Sequence, residues 1–174
     1  KFIAPEERNL AAVGLDIGFE KNRRAAAERA RDTGKPSLTK SIQLVQDNKK
    51  MPGFLMLIPV YETRNTPPTI TERREALLGW VYAPFIGANF LDGLTQISKG
   101  HLGFAVYDGP DINKDNLIYA TEDTNSNSLP SDSITETSHL KIAGQEWTIF
   151  WFTTSEFTPP SDRYTSTLLG IFGM

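Results

Sequence analysis

The stretch from Phe54 to Tyr61, FLMLIPVY, constrains this chain more than any other part of it. It is almost continuously apolar, yet far shorter than the roughly 18 apolar residues that a membrane helix needs. It also lacks the apolar–polar alternation of a half-solvated strand, so it predicts a central strand buried on both faces. Such a strand requires neighbours in its sheet. Ser37 to Gln46, with Leu38, Ile42, Leu44 and Val45, supplies one, and Ala76 to Phe85, with Leu77, Leu78, Trp80, Val81 and Tyr82, supplies another. Between the second and third strands, Glu62 to Glu75 reads as an exposed connection around Asn65-Thr66-Pro67-Pro68.

Helical pattern flanks this trio. Pro5 to Ala12 reads as a short helix with Pro in its first turn and Glu6 and Glu7 at the positive end of its dipole. Val13 to Gly18 follows as an extended piece. Glu20 to Thr33 is rich in Ala, Arg and Glu, and stops at Gly34-Lys35-Pro36. Pro84 to Ser98 places Phe85, Phe90, Leu91, Leu94 and Ile97 at helical spacing. Beyond it, His101 to Asp108, Asn116 to Ala120, Ile134 to Ala143 and Gln145 to Thr153 read as short strands. They are joined by turns at Asp108-Gly109-Pro110, Asn125 to Pro130 and Ala143-Gly144, and the polar segment Thr121 to Ser133 reads as a solvated loop. Links between neighbouring strands lack crossover helices, so the sheets should be antiparallel and the class α+β, with two small sheets in tandem.

Charge and composition exclude several functions. A net charge of −3, with basic residues scattered apart from Lys21 to Arg24, Lys49-Lys50 and Arg73-Arg74, is too little for nucleic-acid binding. With no cysteine the chain has no disulfide, thiolate metal site or cysteine nucleophile, and it suits an oxidising compartment. His101 and His139 lie in different segments without a partner at metal-ligand spacing, and no nucleophile elbow or phosphate-cradling glycine loop occurs. No catalytic set, metal site or cofactor is therefore expected. Asp108, Asp111 and Asp115 read as solvated loop acids. The apolar close from Ser166 to Met174 reads either as the first turns of a membrane helix or as a terminal strand.

A series of short motifs, in order, resembles the CHASE domain family. The series is Val13-Gly14-Leu15-Asp16, Arg24-Ala25-Ala26 with Ala30-Arg31-Asp32-Thr33-Gly34, Leu44-Val45-Gln46, and Gly53-Phe54-Leu55-Met56 with Pro59-Val60-Tyr61. Arg73-Arg74, Gly79-Trp80-Val81-Tyr82-Ala83-Pro84-Phe85 and Val106-Tyr107-Asp108-Gly109 continue it, so that the resemblance runs from about residue 3 to residue 120. It implies a periplasmic, extracytoplasmic sensor module of an inner-membrane receptor, set between two membrane helices. The implied fold is two tandem PAS-like antiparallel sheets with helices and an N-terminal stalk helix, truncated here. Residues 1–98 would form the membrane-distal, ligand-binding PAS-like subdomain, and 99–174 the membrane-proximal one leading to a membrane helix. The output domain, a histidine kinase or a diguanylate cyclase or phosphodiesterase, would lie outside this chain, and the full receptor would be a homodimer.

The resemblance also implies pocket positions. Where the plant cytokinin receptors of the family carry a ligand-anchoring aspartate, this chain has Arg23 or Asn22. A guanidinium only donates, so Arg23 in the site would select a carboxylate, phosphate or sulfonate; otherwise it is a solvated helix arginine. Period 2 puts Thr39, Ser41, Gln43 and Val45 on one face of the first strand, either as cavity wall or facing solvent. Leu57 replaces a ligand-binding threonine, sharing its face with Leu55, Pro59 and Tyr61. Trp80 matches a pocket aromatic beside Leu78 and Tyr82, each polar aromatic able to orient a ligand or simply fill the core. Asp16 either caps the helix that follows Gly18 or faces the ligand. The function expected is small-molecule sensing, against an alternative of a ligand-free dimerisation spacer.

Overall fold

The computed structural model describes residues 14, 16–44, 51–98, 100–121, 129 and 132–157, with the side chains of 93–98 excepted. Val45, the helix expected over Pro5 to Ala12, the turn at Asn125 to Pro130 apart from residue 129, and the apolar close from Ser166 lie outside these residues. The class is α+β: two four-stranded antiparallel sheets with helices packed on them.

Helix α1 (Lys21–Thr33) forms because its sequence is Ala-, Arg- and Glu-rich, and its ends are well sealed. Glu20 is its N-cap and accepts from the backbone N–H groups of Asn22 and Arg23 at 2.8 Å each. Gly34 ends it in the left-handed region, φ 69°, where a side chain would be strained.

The first sheet centres on β3 (Pro52–Tyr61), as the apolar run predicts, but only its first half is buried on both faces, since Ile58 and Val60 are exposed. One edge pairs with β4 (Leu77–Ile86), the other with β1 (Ser37–Leu38) and then β2 (Ile42–Gln43). The single strand expected over Ser37 to Gln46 is thus two. Ser37 pairs with Leu57 and Leu38 with Met56, but Ile42 pairs with Gly53, so one extra residue is inserted between them. Because side chains alternate, that insertion flips the face of everything after it.

Two further differences have local causes. The expected helix from Pro84 starts only at Gly87, because Leu55 pairs with Pro84 and the strand runs on to Ile86; among the described residues β4 has no strand partner on its outer edge, where a missing N–H costs nothing. The connection after β3 contains helix α2 (Ile70–Glu75), whose N-cap Thr69 and third residue Glu72 form a reciprocal capping box. The Thr-x-x-Glu spacing carried that signal in the sequence. Leu78 leaves the expected face because a bulge between Val60 and Tyr61 pushes it into solvent.

Helix α3 (Gly87–Ser98) leads to the second sheet, ordered β6 (Leu117–Ala120), β5 (Leu102–Asp108), β8 (Gln145–Thr153), β7 (Thr135–Ile142). A tight turn at Ala143 (φ 44°) and Gly144 (φ 78°) closes the β7–β8 hairpin, the positive-φ pair that fits a right-twisted ribbon.

Alternate residues of β3 serve two cores. Leu55 and Leu57 pack with Ala26, Ala27 and Ala30 of α1 and with Ile42 and Leu44. Phe54 faces the other way and joins Leu38, Leu91, Phe104, Val106, Ile118 and Trp147, with its ring 5.2 Å from that of Trp147. The two sheets therefore share a core. Polar contacts reinforce the seam: the Leu38 N–H donates to Ala143 O at 2.8 Å, and the Leu38 carbonyl accepts from Gln145 Nε2 at 2.9 Å. Asp108, expected as a solvated loop acid, is half-buried there and its Oδ2 accepts from Ser41 N at 2.7 Å.

Candidate functional site

Helix α1 presents two adjacent stripes at i, i+3, i+4, i+7 spacing. Arg23, Ala26, Ala27 and Ala30 form the buried one. The stripe one residue further on, Arg24, Ala27, Glu28 and Arg31, lines a cavity of about 430 Å³. Trp80 and Tyr82 of β4 form the opposite wall, and Asp16, Ile17 and Gly18 a third side. That volume lies within the range of about 300–1,000 Å³ typical of small-ligand clefts.

The helix is held over the sheet at its carbonyls. Trp80 Nε1 donates to Ala27 O at 2.9 Å, and the Tyr61 hydroxyl donates to Arg31 O at 2.6 Å. Partial burial pushes the Tyr61 phenol up from its ordinary value. At the same end, Asp32 accepts from Arg74 through both oxygens, at 2.9 and 2.6 Å, and from Arg31 Nε at 2.7 Å. The hydrogen bonds from Arg74, then from Arg31, hold its carboxyl far below the usual carboxylate range. Further along, Arg29 donates to Ser37 Oγ at 2.8 Å and to Leu38 O at 2.7 Å. The carbonyl that Arg29 grips is the one that also accepts from Gln145 of the second sheet.

The expected site residues divide between cavity and packing. Trp80, Tyr82 and Asp16 line the cavity. Asp16 does not cap α1, which Glu20 does; its Oδ1 instead accepts from Gly18 N at 2.8 Å and shapes the turn that forms the cavity rim. Leu57, at 0% exposure, is solid core, and Thr39, also at 0%, spends its hydroxyl on Leu55 N at 3.0 Å. The space expected between Trp80, Leu57 and Thr39 is therefore filled at its Leu57 and Thr39 end, and among the described residues the opening lies beside Trp80. Gln43 does not share the face of Thr39: after the inserted residue, Ile42 and Leu44 turn inward and Gln43 is exposed. Burying two aliphatic side chains outweighs keeping the strand regular, since each gains about 1.5–3 kcal/mol by leaving water.

Arg23 is not a solvated arginine, and it does not line this cavity. It is 6% exposed, its guanidinium donates to Gln43 O at 3.0 Å, and its Nε is without a partner among the described residues. Tyr61 contacts the helix, not the cavity. The cations that do line the cavity, Arg24 and Arg31, lie one and eight positions further on. Their signal in the sequence was the helical period itself, which sets Arg24 and Arg31 on one side of the helix with Ala27 and Glu28.

Among the described residues no three His, Asp or Glu side chains converge as a metal site would require, and no helix is long and apolar enough to cross a membrane. His139 contacts Thr148 Oγ1 at 3.1 Å and His101 contacts Glu156 O at 2.9 Å, so the two histidines serve separate local contacts.

The fold resembles a solved extracellular ligand binding receptor from Desulfohalobium retbaense, with a TM-score of 0.55 and 13% identity. The match covers 87% of this chain and 27% of that one, so the chain spans about a quarter of the length of that receptor. No curated protein matches in sequence. The CHASE domain family matches over residues 1–119, more than half of the chain, as the motif series implied. Both sheets and their helices agree with the tandem PAS-like architecture of such sensors. The chain belongs to the CHASE domain family of extracytoplasmic sensor domains, which are not themselves catalytic.

Proposed function

We propose that this chain senses a small molecule outside the cytoplasm through the cavity between α1, β4 and the Asp16–Gly18 turn. The observation that carries the reading is a ligand-sized cavity with an apolar floor at Ala27, two aromatic walls and charged groups at its rim. Residues 1–98 act as the ligand-binding subdomain, distal from the membrane, and 99–174 as the proximal one leading to a membrane helix. In the whole receptor the chain is a periplasmic homodimer flanked by membrane helices, and its output is a histidine kinase or a cyclic-di-GMP enzyme.

Signalling requires the ligand to prefer one of two conformations. The path from cavity to second sheet is short: α1 bears Arg24, Ala27 and Glu28 on the cavity and Arg29 on Leu38 O, and that carbonyl is shared with Gln145. A ligand that tilts α1 thereby pulls on the β7–β8 hairpin.

A ligand-free spacer is the second reading, and the filled space around Leu57 and Thr39 favours it. A thermal-shift screen of the 174-residue chain separates the two. A sensor gains RT ln(1 + [L]/Kd) of stability, about 2.7 kcal/mol at a hundredfold excess over Kd. At this chain length that amounts to a rise of roughly 5–10 °C. No concentration-dependent rise with any compound would leave the spacer.

A further inference from the structure

We propose that the cavity beside α1 takes a zwitterion, a molecule such as an α-amino acid that carries one ammonium and one carboxylate; this rests on the sensor reading above. Its rim is of mixed sign. Arg24 and Arg31 bring guanidinium groups, while Glu28 and Asp16 bring carboxylates. Arg24 and Glu28 stand four apart on one helix, a spacing at which opposite charges commonly pair. Yet among the described residues neither forms an ion pair, and Asp16 spends one oxygen on Gly18 N only. Arg31 is partly committed, giving its Nε to Asp32, and Glu28 also lies in the field of Arg74.

Charge bookkeeping decides the class. A purely anionic guest would meet two arginines but also two carboxylates, and an amine would meet the reverse. A molecule with both charges satisfies each set, its carboxylate held by a guanidinium and its ammonium by Glu28 or Asp16. The walls between suit its middle. Trp80 has given its N–H to Ala27 O, so it offers ring surface, on which an ammonium or an alkyl group packs favourably. The Tyr82 hydroxyl has no protein partner among the described residues and can donate to a carboxylate or accept from an ammonium. The anionic ligand expected from Arg23 is thus replaced by one with a second, positive end, because Arg23 lies off the cavity and acids share the rim with the arginines that line it.

The test is calorimetry on the 174-residue chain with the twenty standard amino acids. For each binder, two matched probes follow, the acid lacking the amine and the amine lacking the carboxyl. At least one amino acid should bind saturably, and both matched probes should bind about tenfold more weakly or worse, the loss expected when a charge-assisted hydrogen bond is removed. Arg24→Gln and Glu28→Gln, both on the exposed side of the helix, should each weaken binding by a similar factor without changing the unfolding temperature of the free protein. If no amino acid binds but an acid, purine or sugar does, with loss on Ala27→Leu, the zwitterion inference is overturned while the sensor reading stands. If no compound of any class binds, both fall.

Discussion

The two faces of the β3–β4 ribbon are built from the same apolar stock and end differently. On one face Leu55, Leu57, Trp80 and Tyr82 meet the alanines of α1, and small side chains leave an opening at the Trp80 end. On the other, Phe54 meets Trp147 and Phe104 of the second sheet, and large aromatics close that end, while Ile58, Val60 and Val81 further along the same face stay exposed. Among the described residues a cavity of about 50 Å³, lined by Phe54, Phe85, Trp147 and their apolar neighbours, remains at the joint. Bulk on both sides of an interface makes a joint, whereas bulk on one side against alanine makes a site.

The joint face should be the more sensitive to loss of volume. Phe54→Ala, at a residue 1% exposed, should cost about 3–5 kcal/mol in urea unfolding, because the second sheet cannot collapse into the gap. Arg29→Ala should come next, at about 1.5–3 kcal/mol, since it removes charge-assisted hydrogen bonds to Ser37 and Leu38 at the point where both sheets meet. The site face responds instead to added volume, and unevenly. Ala30→Leu, at a residue with 0% exposure against the sheet, should cost about 1–3 kcal/mol through overpacking. Ala27→Leu should cost less than about 1 kcal/mol, because its new atoms enter the cavity. Equal costs at the two positions would contradict the uneven packing described for α1.

The smallest effect concerns pH. The folded-state pKa of Asp32 is lowered, so its contribution is present above the ordinary carboxylate value of 3.8 and is lost as pH falls below it. For so exposed a pair that contribution is about 0.2–1 kcal/mol. Wild type should therefore lose slightly more unfolding temperature between pH 7 and pH 3 than Asp32→Asn, as calorimetry would read directly.

Much of this arrangement was legible in the sequence, and the misses share a cause. The apolar run named the central strand, and the Ala-rich segment with its Gly34 stop named α1, because both are repetitive signals summed over many residues. What could not be read was phase. One inserted residue between Leu38 and Ile42 moved Gln43 off the inner face, and a rotation of one helix position separated buried Arg23 from Arg24 at the rim. A strand bulge and a helix's roll on a sheet are set by tertiary contacts, here the Ser41–Asp108 bond and the close fit of Ala26 and Ala30. Neither leaves a pattern within its own segment. Trp80 and Tyr82 reached the cavity because they stand two apart on the stretch of β4 after the Leu78 bulge, where Gly79 to Ile86 pair with Val60 to Gly53 without a slip.

The central claim is that the hollow beside Ala27 is where a ligand binds. It is tested most directly by calorimetric titration of one saturable binder into wild type and into Ala27→Leu, with both proteins shown folded by their unfolding transitions. The account predicts that the leucine removes binding, by about a hundredfold or more, while the fold stands. An unchanged Kd in the filled variant would contradict it and move the site elsewhere in the molecule.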